Sequence, residues 1–278
     1  MTEEAEPAEE SRYDRMAEGY ARFWAPVLRT AAERVLDMLE PDLAARDATL
    51  LDVGSGTGTL AVGALERWPH VRVTGIDPSG GMLDEAGRTA ARRLDPPVAR
   101  RFSREVAPAD RMPFRDGTFD AAMSSFVLQL VPSRAAALRE IRRVVRPGGA
   151  LAWVTWQRSE RGFAPDRIAD DVLDEFGFDP PEADQRPGDV ASAAAAALAM
   201  RRAGFGGVRA WTSEVNYSWD PRGYLEFLTL FDEESLFAEL EAAERADIER
   251  IVLERLEGLS TDELTLRLPV VYAVGAAR

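Results

Sequence analysis

The sequence predicts an α/β protein built on an open, doubly wound, mostly parallel sheet. Three observations carry that prediction. Strand and helix patterns alternate from about residue 49 to 156. The strand candidates are largely apolar runs, as expected of strands covered on both faces. The first of them ends in a glycine-rich turn that opens a helix. Right-handed crossovers then place helices on both faces of the sheet, and a ligand crevice falls at the carboxyl ends of the strands.

The elements follow in order. Residues 11–39 carry apolar side chains at helical spacing, from Tyr13, Met16, Tyr20 and Phe23 to Val35, Leu36 and Leu39, and Pro26 marks an expected break between two helices. The first strand is 49–53, closed by Gly54-Ser55-Gly56-Thr57-Gly58; a helix at 60–68 and a second strand at 71–77 come next. Pro78 and Ser79 open a helix with Met82, Leu83 and Ala86 on one face. Strands are expected at 98–106 and 118–127, then a helix at 133–145 ended by Pro147-Gly148-Gly149, then a strand at 150–156. Residues 157–190 are rich in Asp, Pro and Gly around a short apolar helix (Ile168, Val172, Leu173, Phe176) and read as an insertion. An alanine-rich helix stops at Gly204, 208–219 alternates as a sixth strand, 221–257 is helical, and 264–274 is a seventh strand. The chain thus divides into an acidic tail with N-terminal helices (1–45), a glycine-loop core (46–156), and cap insertions with the last strands of the same sheet (157–278).

Composition narrows the chemistry. Among 278 residues, 34 basic against 48 acidic side chains give a net charge of −14, which disfavours nucleic acid and anionic membranes as partners. There is no cysteine, and every basic residue is Arg, so thiolate catalysis, Cys-type zinc sites, a Schiff-base lysine and a P-loop lysine are all excluded. His70 is the only histidine. The start of the chain has neither the basic stretch nor the apolar run of a secretory signal, and the Ala191–Met200 run is shorter than the ~20 residues that span a bilayer, so a cytoplasmic protein is expected.

Glycines placed straight after a strand let backbone N–H groups approach a ligand. Asp77 lies 19 positions after Gly58, a distance that suits a dinucleotide fingerprint, but the glycines run G-x-G-x-G rather than G-x-G-x-x-G. Leu51-Asp-Val-Gly-Ser-Gly-Thr-Gly58 instead resembles the first motif of class I S-adenosylmethionine-dependent methyltransferases. Ile76-Asp-Pro-Ser79 with Met82-Leu83, Met112-Pro-Phe-Arg-Asp-Gly-Thr-Phe-Asp120 and Leu138-Arg-Glu-Ile-Arg-Arg-Val-Val-Arg-Pro-Gly-Gly149 resemble three further motifs. All four are similar to those of the ubiquinone and menaquinone biosynthesis methyltransferases.

The resemblance implies a Rossmann-like seven-stranded sheet, its last strand antiparallel between the fifth and sixth, with an N-terminal helical lid and a helical cap. It implies S-adenosyl-L-methionine as cofactor. Gly54, Ser55, Gly56 and Gly58 would face its amino-acid part, Asp52 its ammonium, Asp77 the ribose, and Met82 the adenine, with Pro78 also among the cofactor-binding residues; helix capping is the alternative for Asp77, and plain core packing for Met82. The acidic residue expected five positions before Pro113 is replaced by Pro108, which leaves the adenine amino group to the Ala109 backbone or to Asp110. Ser124 and Ser125 would line the crevice under the sulfonium, and Tyr20 would reach it from the lid. In-line methyl transfer needs alignment and dryness more than a base, so the catalytic candidates reduce to Tyr13, Tyr20, a cap acid and Gln129 as a hydrogen-bond partner. His70 belongs at the opposite edge of the sheet. The run Ser124 to Leu130 lacks clustered acids, so no metal is expected. The cap aromatics Trp211, Trp219, Tyr224, Phe227, Phe231 and Phe237 suit a largely apolar small-molecule acceptor. The competing readings are a cofactor-binding relative that cyclises, decarboxylates or hydroxylates, a nicotinamide dehydrogenase, and a non-catalytic binding module.

Overall fold

The structure, a computed structural model, describes residues 17–43, 47–159, 162–178 and 188–278. The acidic tail and Tyr13 lie outside the described residues. Seven strands, β1 (Ala48–Val53), β2 (Val71–Asp77), β3 (Phe102–Val106), β4 (Phe119–Ser125), β5 (Val145–Trp156), β6 (Phe205–Ser218) and β7 (Thr265–Ala277), form one sheet in the order β3-β2-β1-β4-β5-β7-β6. The pairs β1–β2, β1–β4, β2–β3 and β4–β5 are parallel, and β7 runs antiparallel to β5. Strand order reverses between β1 and β4, which makes their carboxyl ends the switch point where α/β sheets open a crevice.

The helices are α1 (Ala25–Leu43), α2 (Thr59–Arg67), α3 (Gly80–Arg93), α4 (Arg134–Val144), α5 (Ala164–Glu175), α6 (Ala193–Arg202), α7 (Pro221–Phe227), α8 (Glu234–Glu239) and α9 (Ala242–Glu257). Residues 1–158, 187–213 and 269–278 make one compact unit, and 159–186 with 214–268 make a second. In the first, Leu51, Trp153, Val271, Leu138 and Met200 are wholly buried in one core that spans β1, β5, β7, α4 and α6. In the second, Trp219 packs edge-on to Tyr224 and 5.0 Å from Phe227, and the Tyr224 hydroxyl donates to Asp166 Oδ1 at 2.7 Å. Burial and that neighbouring carboxylate push the Tyr224 phenol far above its ordinary range.

Several boundaries differ from expectation for local reasons. Pro26 breaks nothing. A π-turn at Tyr20–Trp24, closed by Ala25 N–H donating to Tyr20 O, runs straight into α1; the wider turn absorbs the clash and the missing donor that proline brings to a helix. The third strand starts at Phe102, because Asp95-Pro96-Pro97 opens a single helical turn, Pro96–Ala99. Pro147-Gly148-Gly149 does not end the helix. Pairing shifts from Phe119↔Val145 to Ala121↔Ala150, so the run is a bulge early in β5, with Gly148 at φ 81°. β4 stops at Ser125 because Phe126 turns left-handed, at φ 56°.

Gly75, mid-β2, leaves room for the loop after β1. A Cβ there would stand 2.6 Å from Ser55 Oγ and 3.0 Å from the Phe102 ring. Gly75→Ala is therefore expected to destabilise the protein by about 1–3 kcal/mol, the usual cost of overpacking; a urea midpoint equal to wild type would show that Ser55 does not need that space.

Candidate active site

Three left-handed glycines shape the loop that leaves β1: Gly54 at φ 69°, Gly56 at 51° and Gly58 at 88°. A Cβ on Gly54 would run into the Val127 side chain, and one on Gly58 would lie 3.2 Å from Ala86 Cα. At Gly56 the space is open, so there the loop presents bare backbone. Ser55 N–H donates to Ile76 O at 2.8 Å and Gly58 N–H to Ser55 O at 2.9 Å, which fixes the loop against β2.

Asp77, the last residue of β2, receives Gly56 N–H on Oδ2 at 2.9 Å and Ser79 N–H on Oδ1 at 3.0 Å. Both carboxylate oxygens are thus aimed by backbone, and each carboxylate oxygen can accept more than one hydrogen bond. The helix cap is Ser79, whose Oγ accepts Met82 N–H at 3.0 Å, so Asp77 is not the cap. Met82 itself is buried.

Asp52, on β1, is 1% exposed. Its Oδ2 accepts the Ser55 hydroxyl at 2.8 Å, while Oδ1 has no hydrogen-bond partner among the described residues. Burial pushes its pKa up to about 7; the Ser55 hydroxyl and the nearby Ala61 amide pull against that, and the Asp77 charge adds to it. A buried carboxyl with one unmet oxygen, next to a bare glycine backbone, fits a cationic group of a ligand.

After β3 the chain is tied by Ala107 N–H to Asp77 O and turned by Arg111 N–H to Pro108 O; Ala109 N–H takes no part in these bonds, and Asp110 is exposed. Glu140 Oε1 accepts Met112 N–H at 2.8 Å, and Arg143 donates to Glu140, to Phe114 O and to Met112 O. The third and fourth sequence motifs are therefore one structural device. Helix α4 clamps the loop that carries Ala109. The Arg143 guanidinium holds the Glu140 carboxyl below its ordinary value.

The loop after β4 completes the edge. Phe126 sits in left-handed backbone with its N–H on Val154 O and its ring 4.2 Å from Trp156. Trp24, from the π-turn, lies 6.5 Å from Trp156 on ring centroids. Gln129 Oε1 accepts the Thr155 hydroxyl at 2.8 Å.

The family model for a methyltransferase domain matches residues 51–153. Over this region, 103 of the 278 residues, the chain is similar to class I S-adenosylmethionine-dependent methyltransferases. It is similar to a malonyl-[acyl-carrier protein] O-methyltransferase of Geobacter sulfurreducens, 34% identical over 130 residues that make 47% of this chain and 46% of that protein. It is also similar to a ubiquinone/menaquinone biosynthesis C-methyltransferase of Geotalea daltonii, 37% identical over 108 residues, 38% of this chain and 45% of that one. The match thus spans about half the length of these relatives. Among solved structures, the YcgJ protein of Bacillus subtilis superposes with a TM-score of 0.57 at 16% identity, covering 88% of this chain and 97% of that one. The [4+2]-cyclase SpnF superposes at 0.51 with 21% identity over 89% and 82%. These two likenesses speak to fold.

Within the matched region, Asp52, Gly54, Ser55, Gly56, Gly58, Asp77 and the Ala109 loop come together at the switch point, with exposed Pro78 beside them. Ser124 departs from expectation. It is fully buried and its hydroxyl donates to Val53 O at 2.9 Å, a stitch between β4 and β1 rather than a lining group; Ser125 is half-buried at the strand's end. Tyr20 is half-buried in the π-turn. His70 lies at the amino edge of the sheet, exposed, 3.7 Å from Asp47. Among the cap aromatics, Trp219, Tyr224, Phe227 and Phe237 are core of the second unit, Phe231 packs on Phe227, and Trp211 belongs to the first unit, stacked on Tyr272. Sequence reasoning missed Phe126, Val127, Thr155, Trp24 and Trp156; only Thr155, a polar residue inside a buried apolar strand, carried a signal.

Two tests follow from this geometry. Asp52 keeps its proton in the folded protein to about pH 7, whereas the unfolded chain loses it near 4. The stability it contributes is therefore full below pH 4 and lost as pH rises through about 7. Relative to Asp52→Asn, wild type should lose denaturant stability between pH 4.5 and 7.5; parallel curves for the two proteins would refute the raised pKa. At Phe126, Gly should be better tolerated than Ala by about 1 kcal/mol, the reverse of the ordinary order, because only Gly relieves the left-handed strain. Urea unfolding of Phe126→Gly and Phe126→Ala decides this.

Proposed function

We propose that this protein transfers the methyl group of S-adenosylmethionine to a small, largely apolar acceptor, without a metal. The observation that carries the reading is the pair of carboxyls at the switch point: Asp77 aimed by the Gly56 and Ser79 amides, and Asp52 buried with one oxygen unmet. When bound, the cofactor supplies an electrophilic methyl on a sulfonium. Asp77 would take the ribose hydroxyls, Asp52 the ammonium, the Gly54–Gly58 backbone the amino-acid part, and Ala109 N–H with Met82 the adenine. What the chain adds is alignment and exclusion of water, which are worth ~7–11 kcal/mol where geometry is right. Trp24, Phe126 and Trp156 give the β4–β5 side of the edge an apolar character suited to such an acceptor. No group of three or more metal-ligating side chains occurs among the described residues, and none of the described helices is long and apolar enough to cross a membrane. With a net charge of −14, a small molecule fits better than nucleic acid.

Calorimetric titration tests the reading. Wild type should bind S-adenosylmethionine and S-adenosylhomocysteine and not NAD. Asp77→Ala should weaken both by about 10- to 100-fold, as expected for hydrogen bonds to a charged group, while His70→Ala and treatment with EDTA leave binding and turnover unchanged. Turnover that leaves S-adenosylmethionine intact and rearranges the acceptor would replace methyl transfer by the non-methylating alternative.

A further inference from the structure

We propose that Gln129 is the hydrogen-bond donor that meets the acceptor, that Thr155 is the positioning residue which sets its amide, and that the acceptor is a delocalised oxyanion: a carboxylate, the enolate of a 1,3-dicarbonyl, or an acidic phenolate. The inference rests on the methyl-transfer reading and names its substrate class.

Thr155 is fully buried near the end of β5, and its hydroxyl lies 2.8 Å from Gln129 Oε1. A buried hydroxyl must place its hydrogen, so it donates to the amide oxygen, and among the described residues Nε2 makes no hydrogen bond. The backbone around Gln129 is gripped from several sides. Phe126 turns left-handed just before it, and Leu130 N–H returns to Val127 O at 2.8 Å. Arg134 Nε donates to Leu128 O at 2.9 Å, and the same guanidinium donates to Gly188 O. Gly188 lies so close to Gln129 O that a Cβ has no room. Val190, two residues on, exchanges bonds with Trp156 O and Arg158 N. A half-buried polar side chain held this firmly, at the carboxyl edge of the two strands beside the switch point, is placed as groups that orient ligands are placed.

An amide neither takes nor gives a proton near neutral pH. Acting without Tyr13, Tyr20 or a cap acid as base, it serves an acceptor that arrives already deprotonated. The oxyanion lone pair, or the α-carbon pair of an enolate, forms the bond to the methyl carbon. The pair of the broken methyl–sulfur bond stays on sulfur, and no proton changes place. A neutral alcohol or an ammonium would each need a base at this point, which Gln129 cannot be.

The test uses the 15N-labelled full chain saturated with S-adenosylhomocysteine. The Gln129 side-chain amide pair is identified by its absence in Gln129→Glu. Titration with 3-phenylpropanoate and with 4-nitrophenolate should move that pair, whereas 3-phenylpropylamine and 3-phenylpropan-1-ol of matched size should not. Affinity for the anions should fall about 10- to 100-fold in Gln129→Glu and in Thr155→Val and return in Thr155→Ser, in line with loss of a hydrogen bond to a charged group. Labelled methyl transfer should follow the same order. A response to the amine or the alcohol, anion affinity that survives Gln129→Glu, unchanged behaviour of Thr155→Val, or silence of all four probes would overturn the proposal. Failure of S-adenosylhomocysteine itself to bind would instead remove the methyltransferase reading on which the proposal stands.

Discussion

The crevice depends on left-handed backbone at two neighbouring strand ends. Parallel strands β1 and β4 lie side by side and deliver the chain to the same edge. Continued in extended form, the two chains would stay side by side and lengthen the sheet instead of parting at its edge. Gly54 at φ 69° sends one loop toward β2, and Phe126 at φ 56° sends the other toward β5. The two still meet, for Val127 occupies the place where a Gly54 side chain would be. Glycine meets this demand without steric cost. Phenylalanine is instead held in place by the Val154 carbonyl and the Trp156 ring, so strain at β4 is offset by packing at β5.

This difference explains what the sequence could reveal. Gly54, Gly56, Gly58, Asp77 and the Pro78-Ser79 helix start were legible because each residue type has few uses in that local context. The doubly wound, mostly parallel sheet was legible because apolar runs alternated with helical ones, whereas the antiparallel seventh strand between the fifth and sixth came only from the family resemblance. Phe126 was not, since nothing in a phenylalanine announces left-handed backbone. Nor was the partner of Ser124, whose hydroxyl serves Val53 O rather than the crevice; a serine at a strand end reads the same whichever way it bonds. The role of Pro26 was misread because a proline signals a break, while a π-turn four residues earlier needs no distinctive residue. The pairing of Gln129 with Thr155 joins positions 26 apart across two strands and has no local signature.

The glycine-loop side and the β4–β5 side of this edge also differ in charge. Asp52 and Asp77 stand on β1 and β2, where a cation is expected. The neighbouring loop beyond β4 offers an amide and aromatic rings. Two full carboxylates together would hinder folding and would repel any anion brought to the β4 side. Burial limits this by keeping Asp52 largely protonated below about pH 7 until a cation can claim it. Of the two carboxyls, Asp77 then carries the charge, oriented by two amides. Had position 129 been a carboxylate, the site would favour amines and could accept their protons. With an amide there, the balance of charge favours an acceptor that brings its own negative charge to a site otherwise arranged around a cation.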